Sequence, residues 1–225
     1  MLPMFRALIL SALVACSLTL TSSLAKADIP ACTPDPDDED IWGLIKNSND
    51  PLDYLRYLQQ FPQGCHRSAA KFRINALVPA TVDLRVGVLT SDNRRIEVNG
   101  ATWISAGLSG AGPNWVNQFY VQQRNVDPTK LKIQVRCQAE GAGFSEWIEG
   151  PCHPRGPTFM QGFSVGLLGS LREFYNLEVA CLTKVGKGAD RTERVASEGW
   201  CGTLPGEARR YVNGMSVSIT RKTFD

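Results

Sequence analysis

VNQFYV at residues 116–121 has two counterparts further along the chain, MQGFSV at 160–165 and VNGMSV at 212–217. Each hexapeptide contains, in order, an apolar residue, an amide, a Gly or Gln, an apolar residue, a hydroxyl and Val. This alternation is typical of a β-strand whose apolar anchors are positions one, four and six, with a kink near its start. The hexapeptides predict three strands of one kind, which we call the closing strands.

Each closing strand follows a second short apolar stretch, which predicts an opening strand. A turn-rich segment that contains a Gly joins the two, and we call this segment the link. The closing strands begin 44 residues apart (160 minus 116) and then 52 (212 minus 160), a period typical of repeat architectures. The opening strands are Leu84 to Val88, Ile133 to Cys137 and Leu177 to Cys181, and the link glycines are Gly107, Gly150 and Gly199.

The period predicts a mainly β domain at residues 82–220 with three units, at 82–121, 131–168 and 177–219. Three small sheets can each bury one face around a pseudo-threefold axis. We expect a β-prism-like arrangement, because each unit has the pattern of a small antiparallel sheet. A β-trefoil is the alternative.

The cysteines test this alignment, because the alignment uses only apolar residues and glycines. In two units a cysteine ends the opening strand and another follows the link glycine by two residues, whereas the first unit has Val88 and Ser109 at those places. A disulfide that is present or absent as a pair explains this distribution better than buried free thiols do. We predict the disulfides Cys137–Cys152 and Cys181–Cys201 and, by elimination, Cys32–Cys65.

The first 27 residues are typical of a secretory signal peptide, with Arg6 before an apolar run and Ala25-Lys26-Ala27 as the cleavage site. The apolar run is too short to span a membrane. Removal of the segment leaves six cysteines, an even number that suits an oxidising compartment. The same segment resembles a bacterial lipobox at residues 13–16, so Cys16 is an alternative lipidation site. We expect a periplasmic or extracellular protein, or alternatively an outer-membrane lipoprotein.

The charge of the chain argues against a nucleic-acid partner. The formal net charge is +2 and the pI is about 8.2, whereas phosphate binding needs a concentrated basic face. The sequence also lacks a Gly-rich phosphate loop between a strand and a helix. We therefore expect no nucleotide cofactor, and the sequence predicts no other cofactor.

The region before the β domain has two parts. Residues 28–40 are rich in acidic residues and Pro, which predicts an extended, solvated lead-in; a calcium site is a weaker reading, because the Gly and distal Glu of a calcium loop are missing. Residues 41–80 predict a small helical hairpin. Asp50 and Pro51 suit a helix start, and Pro62-Gln63-Gly64 suits its end.

Part of the hairpin resembles a short helical segment found beside caspase-like and accessory domains in bacterial proteins. The residues that carry the resemblance are Trp42, Ile45, Ser48, Asp50 to Tyr54, Tyr57-Leu58 and Phe61 to Gly64. The resemblance implies a spacer or a protein-interaction module and brings no catalytic residues. A protein partner bound through residues 41–80 is therefore one expectation.

The three units resemble hydrophobic-W repeats, which are secreted bacterial units with a Trp four residues before a Gly. Trp103 to Gly107 and Glu198 to Thr203 carry the resemblance. The chain departs from the pattern at Trp147, which lies three residues before Gly150, and at Val195, which replaces the Trp of the third unit. The resemblance implies attachment to a cell surface or a glycan.

The sequence contains one motif that matches a catalytic site and one group of residues that could bind a metal. Gly162-Phe163-Ser164-Val165-Gly166 matches a serine-hydrolase nucleophile elbow, but an elbow needs a strand, a sharp turn and a helix, and Ser164 falls at a strand position of the repeat. Cys137, Cys152 and His153 could bind zinc, but disulfides suit an exported protein better. We therefore predict no enzyme activity and no metal, with a Ser164 hydrolase as the least favoured alternative.

The tryptophans carry the binding hypothesis. Trp115 and Trp200 lie in predicted turns, where they could stack on the C–H face of a sugar, whereas Trp103 and Trp147 are expected to fill the core. The candidate ligand-binding residues are Trp115, Trp200, Asn114, Asn117 and Arg155. The sequence predicts an exported, lectin-like protein that binds carbohydrate or another envelope component. A scaffold partner of an exported enzyme is the alternative.

Overall fold

The computed structural model describes residue 32 and residues 35–109, 112–139, 143–153, 159–185, 190–203 and 207–224. Strands account for 42% and helices for 20%, so the protein is mainly β, as predicted. Within the described part, every helix is too short or too polar to cross a bilayer. The predicted signal peptide and Cys16 lie outside the described residues.

The first helix begins inside the acidic stretch, so the prediction of an extended lead-in over residues 28–40 is wrong from Pro36 onward. The Asp35 carboxylate caps this helix by accepting a hydrogen bond of 3.0 Å from the backbone N–H of Asp37. Carboxylates in a first turn also favour the positive end of the helix dipole. The helices are α1 (Pro36–Ile45), α2 (Pro51–Gln60) and α3 (Arg67–Leu77).

The second helix has the boundaries that the sequence predicts. The Asp50 side chain accepts a hydrogen bond of 2.9 Å from the backbone N–H of Leu52, and Pro51 occupies the first turn. One face of α2 is buried through Tyr54 and Tyr57. The helix ends at Gln60, just before the Pro-Gln-Gly turn.

A buried carboxylate connects the helices. Asp38 is 2% exposed and accepts hydrogen bonds from the Tyr57 hydroxyl (2.5 Å) and the backbone N–H of Cys65 (2.7 Å). The Tyr57 oxygen in turn accepts a hydrogen bond of 3.1 Å from the backbone N–H of His66. Burial, together with the hydrogen bond to Asp38, raises the pKa of Tyr57 well above its usual range. These bonds hold α1, α2 and the start of α3 in one arrangement.

Most of the described strands form three antiparallel sheets. Sheet I has the order β2-β1-β6, sheet II the order β11-β8-β7 and sheet III the order β10-β9-β12-β3, and β4 pairs with β5. The strands are β1 (Leu84–Thr90), β2 (Arg95–Asn99), β3 (Ile104–Ser105), β4 (Leu108–Ser109), β5 (Gly112–Pro113), β6 (Val116–Gln123), β7 (Lys132–Ala139), β8 (Met160–Leu168), β9 (Tyr175–Lys184), β10 (Arg191–Ala196), β11 (Cys201–Gly202) and β12 (Tyr211–Arg221).

The predicted opening and closing strands are all present, and each opening strand pairs with the closing strand that follows it. These pairs are β1 with β6, β7 with β8, and β9 with β12. Each pairing skips one residue of the closing strand, at Asn117, Gln161 or Asn213. That residue is the amide at position two, so the bulge is the kink that the hexapeptides predict.

The bulge explains the apolar pattern of the closing strands. Positions one and four would face opposite sides of a regular strand, but one extra residue between them returns both to the same side. In β8, for example, Met160, Phe163 and Val165 are all fully buried. The corresponding residues of β6 and β12 are at most 3% exposed.

The links join the sheets to one another. The second link pairs with the first closing strand at Phe119 and Cys152 (N–O distances 3.0 and 2.7 Å), and the third link pairs with the second closing strand at Phe163 and Cys201. The first link pairs with the third closing strand, where Ile104 lies opposite Met215. Each link thus reaches position four of another closing strand, and the order is cyclic.

This order corrects one position in the sequence alignment. Ile104 takes the place that Cys152 and Cys201 take in the other links, so Ser109 is not their counterpart. The Gly-based alignment failed because Gly107 follows Ile104, whereas Gly150 and Gly199 precede Cys152 and Cys201. Val88 and Ile104, each 1% exposed, therefore occupy the two places that cysteines occupy elsewhere.

The predicted disulfides Cys137–Cys152 and Cys181–Cys201 are confirmed, each with a Cα–Cα distance of 6.1 Å. Cys32 and Cys65 are also disulfide-bonded. Between the sheets, the closing strands contact one another, and the rings of Phe119 and Phe163 are 4.7 Å apart. The main core therefore lies along the three closing strands.

The helices pack on the β-strands. Tyr54 and Ile74 belong to the same buried cluster as the strand residues. The Tyr175 hydroxyl donates a hydrogen bond of 2.8 Å to the carbonyl of Pro79, just after α3. The helical region is therefore part of the folded unit at residues 34–225.

Candidate functional site

Two tryptophans occupy matching places on the sheets. Trp103 directly precedes β3 and Trp200 directly precedes β11. The Trp103 ring lies against Gly214, where a Cβ atom would be 2.9 Å from Trp103 Cζ2, and the Trp200 ring lies so close to Gly162 that a Cβ there would overlap it. Position three of a closing strand is therefore Gly where a Trp covers it.

The corresponding place on sheet I is not covered by a tryptophan. Pro151 precedes Cys152 of the second link, and position three of the facing strand is Gln118. The same sheet fills its surface with Tyr120, whose ring lies against Gly87 and whose hydroxyl donates a hydrogen bond to Glu97. That hydrogen bond is the largest cause that lowers the pKa of Glu97. An indole covers sheets II and III but not sheet I.

Trp103 and Trp200 differ in their exposure. Trp103 is 40% exposed, so the prediction that it fills the core is wrong. Trp200 is half-buried. Its indole N–H donates a hydrogen bond of 2.9 Å to the carbonyl of Thr203, and the ring centroids of Trp200 and Phe144 are 4.7 Å apart in a T-shaped arrangement. Of the two rings, Trp103 has the larger surface open to a ligand.

Trp115 belongs to a cluster of three rings. It lies 5.8 Å from Phe159 and 5.7 Å from Tyr211, and these two rings are 5.8 Å apart, all edge to face. Each of the three residues directly precedes a closing hexapeptide. Burial raises the pKa of Tyr211. Sequence reasoning missed this cluster, although an extension of the hexapeptides by one residue would have revealed three aromatic residues in register.

The predicted amide ligands lie near this cluster. Asn114 is 4% exposed, and its side chain donates a hydrogen bond of 3.0 Å to Asp92 and accepts one of 3.2 Å from Ser91. The Asn114 amide is thus used within the fold rather than free for a sugar. Asn117 is the bulge residue of β6, and its buried Oδ1 has no hydrogen-bond partner among the described residues. Arg155 lies outside them.

Trp115 and Trp200 are therefore parts of different clusters. Within the described ranges, no ring contact or hydrogen bond joins Trp200 to Trp115, Asn114 or Asn117. For Arg155 and Asn117, a role in ligand binding remains a prediction. The contacts do not support one cluster that contains all five predicted residues.

A further cluster lies on sheet II and was not predicted. The guanidinium carbon of Arg136 is 4.7 Å from the Trp147 ring centroid and 5.3 Å from the Phe144 ring centroid. Phe144 is 53% and Ile148 36% exposed. Trp147, which the sequence places in the core, is half-buried at this surface instead. We call Arg136, Phe144, Trp147 and Ile148 the Arg136 clamp.

Ser164 does not have the geometry of a nucleophile elbow. It lies in the middle of β8 opposite Arg136, is fully buried, and does not have the positive φ of a strained turn. Gly162 and Gly166 instead leave room for the third link, since Trp200 lies on the first and Glu198 on the second. Packing thus explains the G-x-S-x-G motif, and Ser164 does not lie at a nucleophile elbow.

The cysteine sulfurs are used in disulfides. Cys137 and Cys152 are bonded to each other, so they do not form the zinc site that was the alternative reading. Cys181, Glu193 and Cys201 place their ligand atoms within 4.8 Å of one another, but the two sulfurs form a disulfide. Neither group has free thiolates to offer to a metal ion.

No family model, curated protein or solved structure matches this chain. The resemblance to hydrophobic-W repeats therefore remains an expectation. Trp103 and the Arg136 clamp are the two candidate binding surfaces among the described residues.

Proposed function

We propose that this chain is an exported, non-catalytic binding protein whose β domain binds carbohydrate or another component of the bacterial cell envelope. The disulfides support export, because such bonds are typical of oxidising compartments. The shared bulge and the cyclic order of the links support a pseudo-threefold, β-prism-like body. The protein is periplasmic or extracellular after cleavage near residue 27, or a lipoprotein if Cys16 is acylated.

One observation carries the binding proposal. Trp103 keeps 40% of its surface in water although its other side lies on a Gly of the facing strand. A glycine backbone gives the ring a support that cannot move away as a side chain would. An exposed indole on a rigid support is suited to stacking on the C–H face of a sugar ring. The neighbouring residues Thr102 and Ser105 are exposed hydroxyls.

The test is binding of the mature chain to a glycan array that includes peptidoglycan fragments. We expect Trp103→Ala to weaken binding at least about tenfold with little change in the melting temperature, because stacking is lost and no core is opened. Phe72→Ala is the control, since Phe72 is 70% exposed on α3 and its loss should leave binding unchanged. Equal binding by wild type and Trp103→Ala would contradict the proposed site.

A second candidate is a scaffold that binds an exported enzyme through the helical region. Leu44 and Phe72 are 81% and 70% exposed on α1 and α3, and exposed large apolar residues can mark a protein interface. Because the helices pack on the β-strands, point variants are a better test than deletion of the region. Loss of a partner in pull-down by Leu44→Ser with Phe72→Ser, but not by Trp103→Ala, would favour this candidate.

A further inference from the structure

The Arg136 clamp holds an uncompensated positive charge. Seven other described arginines form ion pairs with carboxylates. Arg136 forms no ion pair with a described residue, and its buried Nε has no hydrogen-bond partner among them. The guanidinium instead lies over the rings of Phe144 and Trp147. These rings stabilise its position and leave its charge unpaired.

The clamp lies beside a second buried polar atom without a partner. Ser164 is directly opposite Arg136 across the β7–β8 pair, so the two side chains are on the same face of the sheet. Ser164 is fully buried, and its Oγ has no hydrogen-bond partner in the described structure. Buried polar groups are nearly always hydrogen-bonded, so these two atoms are exceptions that lie side by side on one face of sheet II.

We infer that the Arg136 clamp is a binding site for a carboxylate, and that the ligand of this face is an acidic saccharide. A guanidinium binds a carboxylate through two parallel hydrogen bonds in its plane, and a contact between the guanidinium and an aromatic ring does not use these in-plane donors. The exposed side chains of Phe144 and Ile148 offer apolar surface to the C–H groups of the sugar ring. The inference rests on the proposed saccharide function, and it specifies the class of saccharide.

The experiment compares an oligogalacturonate with its methyl ester, which has the same ring but no free carboxylate. Affinity is measured by calorimetry for the wild type, Arg136→Gln, Arg136→Lys and Arg194→Gln. We expect the wild type to bind the acid at least about tenfold more tightly than the ester, because charged hydrogen bonds are about twice as strong as neutral ones. Arg136→Gln should abolish this preference. Arg136→Lys should reduce it, since Lys lacks the planar pair of donors.

Arg194→Gln is the matched control, because it removes a 72% exposed charge from an edge strand of another sheet. The melting temperature of each variant shows whether it is folded, and the Lys variant keeps the test valid if the Gln variant unfolds. A preference for the acid that survives in folded Arg136→Gln would overturn the inference. So would equal wild-type affinity for acid and ester, although the saccharide proposal would then stand.

Two further outcomes separate this inference from the broader proposal. Tighter binding of an aspartate-rich peptide than of the oligogalacturonate would overturn the assignment to a saccharide. If the wild type binds neither the acid, the ester nor any glycan on the array, the proposed function itself fails. In that case the inference fails with it.

Discussion

Gly162 and Gly214 lack side chains, and that makes room for an indole at each position. At Gly162 an added Cβ would overlap Trp200 and lie 2.8 Å from the carbonyl of Cys201. Neither neighbour can move without shifting the third link. The packing of a link on a closing strand therefore depends on one Trp of the link and one Gly of the strand.

We expect Gly162→Ala to lower the free energy of unfolding by about 1 to 3 kcal/mol, because overpacking forces the ring and the backbone apart. Gly166→Ala is the matched control two residues further along β8. Its Cβ would meet only the movable side chains of Gln134 and Glu198, at 3.1 to 3.3 Å, so its effect should be smaller. Urea unfolding of both variants measures the difference, and equal losses would contradict the packing argument.

At the residue scale, sequence reasoning located the tryptophans but not their roles. Whether Trp103 is exposed depends on the strand that faces it, and β12 lies more than a hundred residues away along the chain. Its partner Gly214 was visible at position three, but the hexapeptide pattern gave no indication that a ring covers this Gly. No sequence pattern indicated the role of Arg136, because the rings that contact it belong to a segment that joins sheet II only through isolated bridges.

At the scale of elements, each disulfide occupies the same two places that Val88 and Ile104 fill in the first unit. Cys137 faces Phe163 as Val88 faces Phe119. An apolar pair thus satisfies the packing of these places without a covalent bond. The disulfides would then add stability chiefly by restricting the unfolded chain.

We expect Cys137→Val with Cys152→Ile to fold and to lose roughly 3 kcal/mol of stability, the value typical of a short disulfide loop. Cys137→Ser with Cys152→Ser should lose more, because it buries two hydroxyls at positions that are 3% and 1% exposed. Urea unfolding compares the two pairs. A Val/Ile pair no more stable than the Ser pair would contradict the equivalence of these places across the sheets.

The strands and two of the disulfides could be predicted because each depends on a local pattern. The hexapeptides carry their own alternation, and the cysteines fall at fixed distances within a unit. The start of α1 was missed because an acidic run with prolines suits both a solvated coil and a helix N-terminus. The burial of Asp38 decides between them, and it depends on Tyr57, which is 19 residues away.

At the scale of the whole molecule, three tyrosines in separate places share one electrostatic property. Burial is the largest cause that raises the pKa of Tyr57 in the helical region, Tyr175 in β9 and Tyr211 in β12. In the unfolded chain these groups would ionise near the ordinary tyrosine value of 10.0. The folded state therefore keeps protons that the unfolded state has lost.

We expect the free energy of unfolding to fall as the pH rises above about 10, because a raised pKa stabilises the fold only while the group is protonated. The decline should continue through the raised pKa values. Denaturant unfolding between about pH 8 and about pH 11 measures it. Tyr57→Phe should show a shallower decline than the wild type, and an identical slope in the two proteins would contradict the assignment to Tyr57.

The cyclic exchange of links could not be predicted from sequence, because it joins residues of different units. The period indicates three similar units but does not say which link meets which strand. The contacts in the structure supply that order. In one of the three places these contacts leave the indole of Trp103 exposed. This exposed ring is the basis of the binding proposal.

The most direct test of that proposal is a ¹H–¹⁵N NMR titration of the mature chain with an oligogalacturonate, observed at the indole N–H signals of its five tryptophans. We predict that the signals of Trp103 and of Trp147 in the Arg136 clamp shift with ligand, while those of Trp42 and Trp115 stay in place. A shift at Trp115 with an unmoved Trp103 signal would contradict this prediction.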